Sequence, residues 1–140
     1  MAGDVTLFLD RSLGGVIVAQ ALREAGQTVE VHDDHFPQDA PDEQWLPEIT
    51  RRGWIGLTKD NAIRKRKLQR LMAARCGARL FVITGGEMAG IDIADTLLAL
   101  ASRICKVAVS EPAPFIATIQ ASGRVHLWRS REELLEEFGD

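Results

Sequence analysis

The sequence predicts an α/β fold: a three-layer α/β/α sandwich around a mainly parallel sheet, finished by a C-terminal β-hairpin. Three observations predict it. Short apolar runs of strand length, at residues 5–9, 29–31, 54–57 and 79–83, alternate with longer stretches of helical period, the order that builds parallel βαβ units. Two of these runs stop at a carboxylate, Asp10 directly after Leu9 and Asp60 in Thr58-Lys59-Asp60, as buried parallel strands do when they deliver polar residues to the carboxyl edge of a sheet. Past Pro112 and Pro114 the rhythm changes to two β-prone runs, 115–119 and 124–128, that flank Ala121-Ser122-Gly123.

Taken in order, the first run is compact and β-prone, and Ser12 stands where it can cap a helix in which Leu13, Val16, Ile17, Ala21 and Leu22 recur at helical spacing before Gly26 stops it. A right-handed crossover then sets Val29 and Val31 beside the first strand. Residues 32–41 carry two prolines and no periodicity, so they form a loop. Its His32, Asp33, Asp34 and His35 read as solvated loop residues ahead of metal ligands, because adjacent loop residues rarely converge on one ion. Asp42 follows Pro41 at an N-cap position, with Trp45, Leu46 and Ile49 as the apolar face, Gly53 as the stop, and Pro47 making the helix short or bent. Capping alone and capping combined with metal binding are both open for Asp42.

After Asp60, itself placed to cap, one helix is expected over about 61–76. Ile63, Leu68, Leu71 and Met72 would turn inward, and Arg64, Lys65, Arg66, Lys67 and Arg70 mostly outward. The fourth run leads into Thr84-Gly85-Gly86-Glu87, a plain strand-to-helix turn in preference to a phosphate cradle, and then the longest helix, Met88 to about Lys106, with Asp92 and Asp95 on its surface. The hairpin extends one edge of the sheet with an apolar inward side. Ser130 and Glu133 then form a capping-box pair at the head of an acidic last helix.

A chain of 140 residues with net charge −3 and 46% hydrophobic content fits a single domain, 1–140, able to bury a real core. Its apolar runs are too short to cross a bilayer and its first residues lack the regions of a signal peptide, so the expected location is cytoplasmic, without membrane association. Cys76 and Cys105 lack paired spacing and read as small hydrophobes. The net charge conceals an asymmetry: residues 51–79 hold ten Lys or Arg and one acid, Asp60, which is +9 locally and leaves −12 elsewhere. That tract is either a landing surface for a polyanion or a solvated face.

If Asp10, Asp42 and Asp60 meet at the carboxyl edge, three carboxylates repel one another until a hard cation neutralises them, and Mg²⁺ or Mn²⁺ suits an oxygen-only ligand set. Such a cation activates water and stabilises charge on a phosphodiester, while Lys59, Arg64, Lys65, Arg66 and Lys67 would hold the polymer.

Phe-Leu-Asp10 before a helix, Pro-Asp42-Glu43-Gln-Trp-Leu at a helix start, and Gly-Trp-Ile-Gly-Leu-Thr58-Lys-Asp60 resemble the PIN-like proteins, in particular the compact branch related to VapC-type toxins. The resemblance runs in order and spacing from about residue 5 to residue 83. It implies a metal-dependent endoribonuclease whose acids are Asp10, Asp42 or Glu43, and Asp60. It further implies RNA as substrate, an antitoxin protein as partner if the chain is a toxin, and room for a homodimer. Many PIN proteins carry a further acid two positions after the Thr-x-Asp residue, where this chain has Ala62. Either Asp34, Glu43 or Glu87 completes the site, or three carboxylates hold the metal. The alternative is a catalytically weak or inactive PIN-like protein that binds RNA or a partner. A phospho-acceptor receiver domain ranks below both, since Asp10 has no acidic neighbour and Ile83 runs into Thr84 where a Lys is wanted.

Overall fold

Alternation along the strands sorts the side chains into two apolar layers. In β1 (Thr6–Leu9), Leu7 and Leu9 enter one layer and Phe8 the other. The structure is a computed structural model that describes residues 5–13, 16–85 and 90–139. Beside β1 lie β2 (Thr28–Val31) and β3 (Ile55–Thr58), followed by β4 (Arg79–Thr84), β5 (Phe115–Gln120) and β6 (Arg124–Arg129), in the order β2-β1-β3-β4-β5-β6. All neighbours pair in parallel except β5 with β6, which form the antiparallel C-terminal hairpin. The α/β sandwich with a mainly parallel sheet is therefore as expected.

One apolar layer joins Leu7, Leu9, Leu57, Phe81 and Ile119 to α1 (Val16–Glu24) and α5 (Gly90–Ser110). The opposite layer joins Phe8, Leu80, Val82 and Ile116 to four helices: α2 (Asp42–Arg51), α3 (Ala62–Lys65), α4 (Lys67–Cys76) and α6 (Arg131–Phe138). Phe8 stacks on Trp45 and Trp54 at 5.5 and 6.1 Å, fixing α2 and the entrance to β3 against the centre of the sheet. The hairpin buries Phe115, Ile116 and Ile119 as expected, and α6 opens with the expected reciprocal bonds between Ser130 and Glu133. Cys76 and Cys105 are free. No helix among the described residues is long and apolar enough to cross a membrane.

Four local expectations need correction. Val16 and Ile17 are 75% and 57% exposed, because α1 buries Val18, Ala19 and Leu22 instead. The helix expected over 61–76 is two helices: Arg66 adopts an extended conformation (φ −92°, ψ 127°), which re-phases the faces and leaves Leu68 76% exposed. Asp42 is the first residue of α2, while the cap position belongs to Pro41. Ser12 sits in a 3₁₀ turn, Arg11–Leu13, with its hydroxyl engaged away from α1. The expected roles of Gly86 and Glu87, and the start at Met88, lie outside the described residues.

Gly56, in the middle of β3, is needed for close approach. A Cβ there would lie 3.2 Å from Ile49 Cδ1 and 3.3 Å from Leu80 Cδ2. Both neighbours are flexible side-chain ends in a packed layer, so Gly56→Ala should cost about 1 kcal/mol, measurable as a lower urea midpoint with unchanged slope.

Candidate active site

The order β2-β1-β3-β4 reverses direction between β1 and β3, and a parallel sheet opens a crevice outside its carboxyl ends at such a point. Asp10 leaves β1 there, and Asp60 follows β3. The two strand ends are tied together first by backbone, as Asp10 N donates to Leu57 O at 3.0 Å. Two hydroxyls then complete the join. Thr58 Oγ1 donates to Asp10 Oδ2 at 2.5 Å and accepts from Asp60 N at 3.0 Å. Ser12 donates to Asp10 Oδ1 from its backbone N at 2.6 Å and from Oγ at 2.5 Å, and its Oγ accepts from Lys59 N at 2.9 Å. Short bonds to a carboxylate in a buried setting are strong, so Asp10 is held in one orientation.

Asp10, Asp42 and Asp60 line a single cleft of about 240 Å³, together with Arg11, Ser12, His32, Gln38, Ala40 and Trp45. Burial pushes the Asp10 carboxyl above its ordinary range; the bonds from Ser12 and Thr58 oppose this, and the nearby charge of Asp60 adds to it. Asp42 is pushed up to about 6, by burial first and then by the charges of Asp60 and Asp10, against a lowering bond from Trp45 Nε1 to its Oδ1 at 3.0 Å. The three acids thus feel one another electrostatically, although they come from three separate segments.

As a metal centre the arrangement fits by chemistry. The donors are oxygens, formal charge accumulates in one cleft, and mutual repulsion raises proton affinity where a cation would relieve it. Among the described residues, however, no group of three or more His, Cys, Asp or Glu side chains is already gathered around one point. Asp60 spends Oδ1 on Ala62 N at 2.9 Å, which fixes the entry to α3, and Asp42 spends Oδ1 on Trp45.

The other candidates fall elsewhere. Glu43 is exposed in the first turn of α2 and does not line the cleft; Asp34 lines a different groove, beside α1. His35 pairs with Glu30 at 2.7 Å, and His32 is a buried residue packed among Phe8, Phe36 and Trp45, so the solvated-loop reading fails for it. Lys65, Arg66 and Lys67 are exposed, whereas Arg64 bonds Asn61 and lies 5.3 Å from the Trp128 ring. Arg70 points away from any free basic surface. It pairs with Glu137 at 2.7 Å and donates to the carbonyls of Arg64 and Lys65, tying α4 to α6 and to the α3–α4 break. The sequence reading missed Arg11, Gln38 and the hydroxyl of Ser12 in the cleft; a hydroxyl two residues after a strand-terminal Asp is the local signal for the last.

The sequence model of the family described as "PIN like domain" matches residues 5–85, the span from β1 through β4 that contains all three cleft acids. The protein named "Putative ribonuclease VapC45", from Mycobacterium tuberculosis (strain ATCC 25618 / H37Rv), is 34% identical over 120 residues, covering 83% of this chain and 86% of that protein. No solved structure gives a significant match. A family match across more than half of the chain, on a sheet whose β1 and β3 both end in cleft carboxylates, means that this chain belongs to the PIN-like domain family.

Proposed function

We propose that the protein is an endoribonuclease dependent on Mg²⁺ or Mn²⁺, acting as the toxin of a toxin–antitoxin pair in the cytoplasm, with RNA as substrate and an antitoxin protein as partner. The observation that carries this reading is the convergence of Asp10, Asp42 and Asp60 on one cleft with enough mutual repulsion to help lift Asp42 to about 6. The family and the relative named as a ribonuclease support it.

Asp10, Asp42 and Asp60 are the residues that would hold the cation. The chemistry a divalent cation supplies at such a site is a nucleophile made from water near neutral pH and neutralisation of charge on a phosphodiester. Asp10 contributes a carboxylate that Ser12 and Thr58 have already oriented, so little ordering remains to be done on binding. Lys59, next to Asp60 in the chain, and the exposed Lys65, Arg66 and Lys67 supply the charge that draws the polymer to the cleft.

One observation favours a second reading, a scaffold that binds RNA or a partner without cutting it. Ala62 stands where many relatives carry a further acid, and the described acids are not pre-gathered for a metal. Incubating the protein with single-stranded RNA and either cation, against a chelator control, decides between them. Metal-dependent internal cleavage is expected, and RNA binding with intact RNA under both cations would establish the scaffold instead.

The basic surface makes its own prediction. Lys65→Ala combined with Lys67→Ala should weaken RNA binding and reduce the slope of log affinity against log salt by about 1.4, the value for two lost single-strand phosphate contacts. An unchanged slope would mean that these side chains only face solvent.

A further inference from the structure

A second cleft opens off the first. It has a volume of about 250 Å³ and shares Asp10, Arg11, His32 and Gln38 with the acidic cleft, so the two are continuous. Asp42 and Asp60 do not line it; Leu9, Val31 and Asp33 take their place. Leu9 and Val31 end the neighbouring strands β1 and β2 and give this space an apolar wall, while Arg11, Asp33 and Gln38 give it a polar rim. Its volume is below the roughly 300–1,000 Å³ of ordinary small-molecule pockets, a size suited to one flat heterocycle.

His32 is the decisive residue. It is 3% exposed, and its ring is held by Phe8, Phe36 and Trp45 at centroid distances of 6.3, 5.6 and 6.5 Å. Nδ1 meets Asp33 Oδ1 at 3.1 Å. Nε2 has no partner among the described residues, yet no side-chain N or O there is both buried and unpaired. His32 is itself among the residues that line both clefts. A ring immobilised by aromatic packing, lining one cleft with an apolar wall, a carboxylate and a primary amide, is the equipment needed to read the edge of an unstacked base. The Gln38 segment is also held in place, because the Arg11 guanidinium donates to the Gln38 carbonyl across the mouth of the cleft.

We propose that this second cleft is a base-recognition subsite, in which His32 Nε2, Asp33 and Gln38 read one unpaired base of the RNA strand whose phosphodiester lies at Asp10, Asp42 and Asp60. The inference rests on the ribonuclease reading and deepens it: the basic tract attracts any polyanion, and this subsite selects among sequences.

Two measurements test it. Wild type, Gln38→Ala and Asp33→Asn are each given a single-stranded RNA pool randomised around its centre, with Mn²⁺, and the cut ends are sequenced. The wild type should favour one base at one position flanking the cut by about tenfold, the discrimination of a single good polar base contact. Both variants should flatten that ratio, and Asp33→Asn, which exchanges an acceptor for a donor at constant shape, should move the preference toward a different base. In parallel, Asp60→Asn protein, alone and combined with Gln38→Ala, is titrated with four pentaribonucleotides that differ only in their central base. Cleavage without any base bias, or a bias that survives both rim variants, would overturn the subsite while leaving the nuclease intact. If no cleavage occurs the nuclease reading fails, and the titration decides alone: base-selective binding that Gln38→Ala abolishes upholds the subsite, and equal affinity for all four oligomers removes it.

Discussion

Asp60→Asn is expected to abolish metal-dependent RNA cleavage, by at least about 100-fold, and to weaken Mn²⁺ binding tenfold or more, since it would remove one of the three proposed anionic ligands. The structure shows why this position isolates charge better than Asp10. Asp10 is buried and accepts three short bonds from Ser12 and Thr58; an amide there would turn its NH₂ group toward a donor and perturb the join between β1 and β3. Asp60 is exposed, and its one side-chain bond among the described residues, from Ala62 N to Oδ1, can be kept by the carbonyl oxygen of Asn. Stability should accordingly change by no more than about 0.5 kcal/mol. If Asp60 served only the entry to α3, Asn would do nearly as well and nothing else would change. Calorimetric titration of Mn²⁺ into both proteins separates the cases, and equal affinity would remove Asp60 from the proposed site.

What was legible in the sequence was the part written in short-range grammar. Val5 to Asp10 and Ile55 to Asp60 are apolar runs with abrupt polar ends, and here, alternating with helical stretches, they form central parallel strands buried on both faces. The carboxyl-edge position of Asp10 and Asp60 follows from that alone. Ser130 and Glu133 were equally readable, since a capping box is satisfied within four residues.

The features that escaped the sequence depend on partners far along the chain. Helical spacing is compatible with several faces, and α1 chose Val18, Ala19 and Leu22 because α5 lies on that side. Arg66 carries no glycine or proline signal, yet the chain breaks there, with Arg70 gripping the carbonyls of Arg64 and Lys65 and Glu137 gripping Arg70 in turn. His32 looked like a loop residue because much of its burial comes from Phe8 and Trp45, which lie in other stretches, and only Phe36 belongs to the same loop. Asp42 stood at a plausible cap, but Trp45 one turn on supplies an indole N–H that claims its Oδ1, which leaves the carboxyl in the cleft and off the backbone. The first three are tertiary choices laid over an acceptable local pattern, and the last is a side-chain bond within one turn that the cap pattern did not reveal.

The metal-free protein should become more stable as the pH is lowered from 7.5 to 5, opposite to the usual approach to acid unfolding. Asp42 titrates near 6 in the fold and at the ordinary 3.8 when unfolded, and burial shifts Asp10 in the same direction. For a carboxyl raised on folding, the protonated form is the one the fold prefers. Its contribution is complete below the unfolded value and is lost as pH rises through the folded one, so between 5 and 7.5 stability falls with rising pH. Carboxylates lowered on folding oppose this only further down, because Glu48, Glu133 and Glu137 hold their charge until below the ordinary 4.5. After allowance for solvent reaching its cleft, Asp42 alone should give about 0.5–1 kcal/mol across this window, or about 2–4 °C in the midpoint of thermal unfolding. Asp42→Asn can still accept from Trp45 and should flatten the slope while raising the metal-free midpoint at pH 7.5. Saturating Mn²⁺ should raise the wild-type midpoint at that pH, because a cation held as proposed would neutralise the same repulsion and bind only the folded cleft. Thermal melts of the two chelated proteins at pH 5, 6 and 7.5 provide the check. A wild-type midpoint that falls steadily with acid, in parallel with Asp42→Asn, would show that the three carboxylates do not crowd one another.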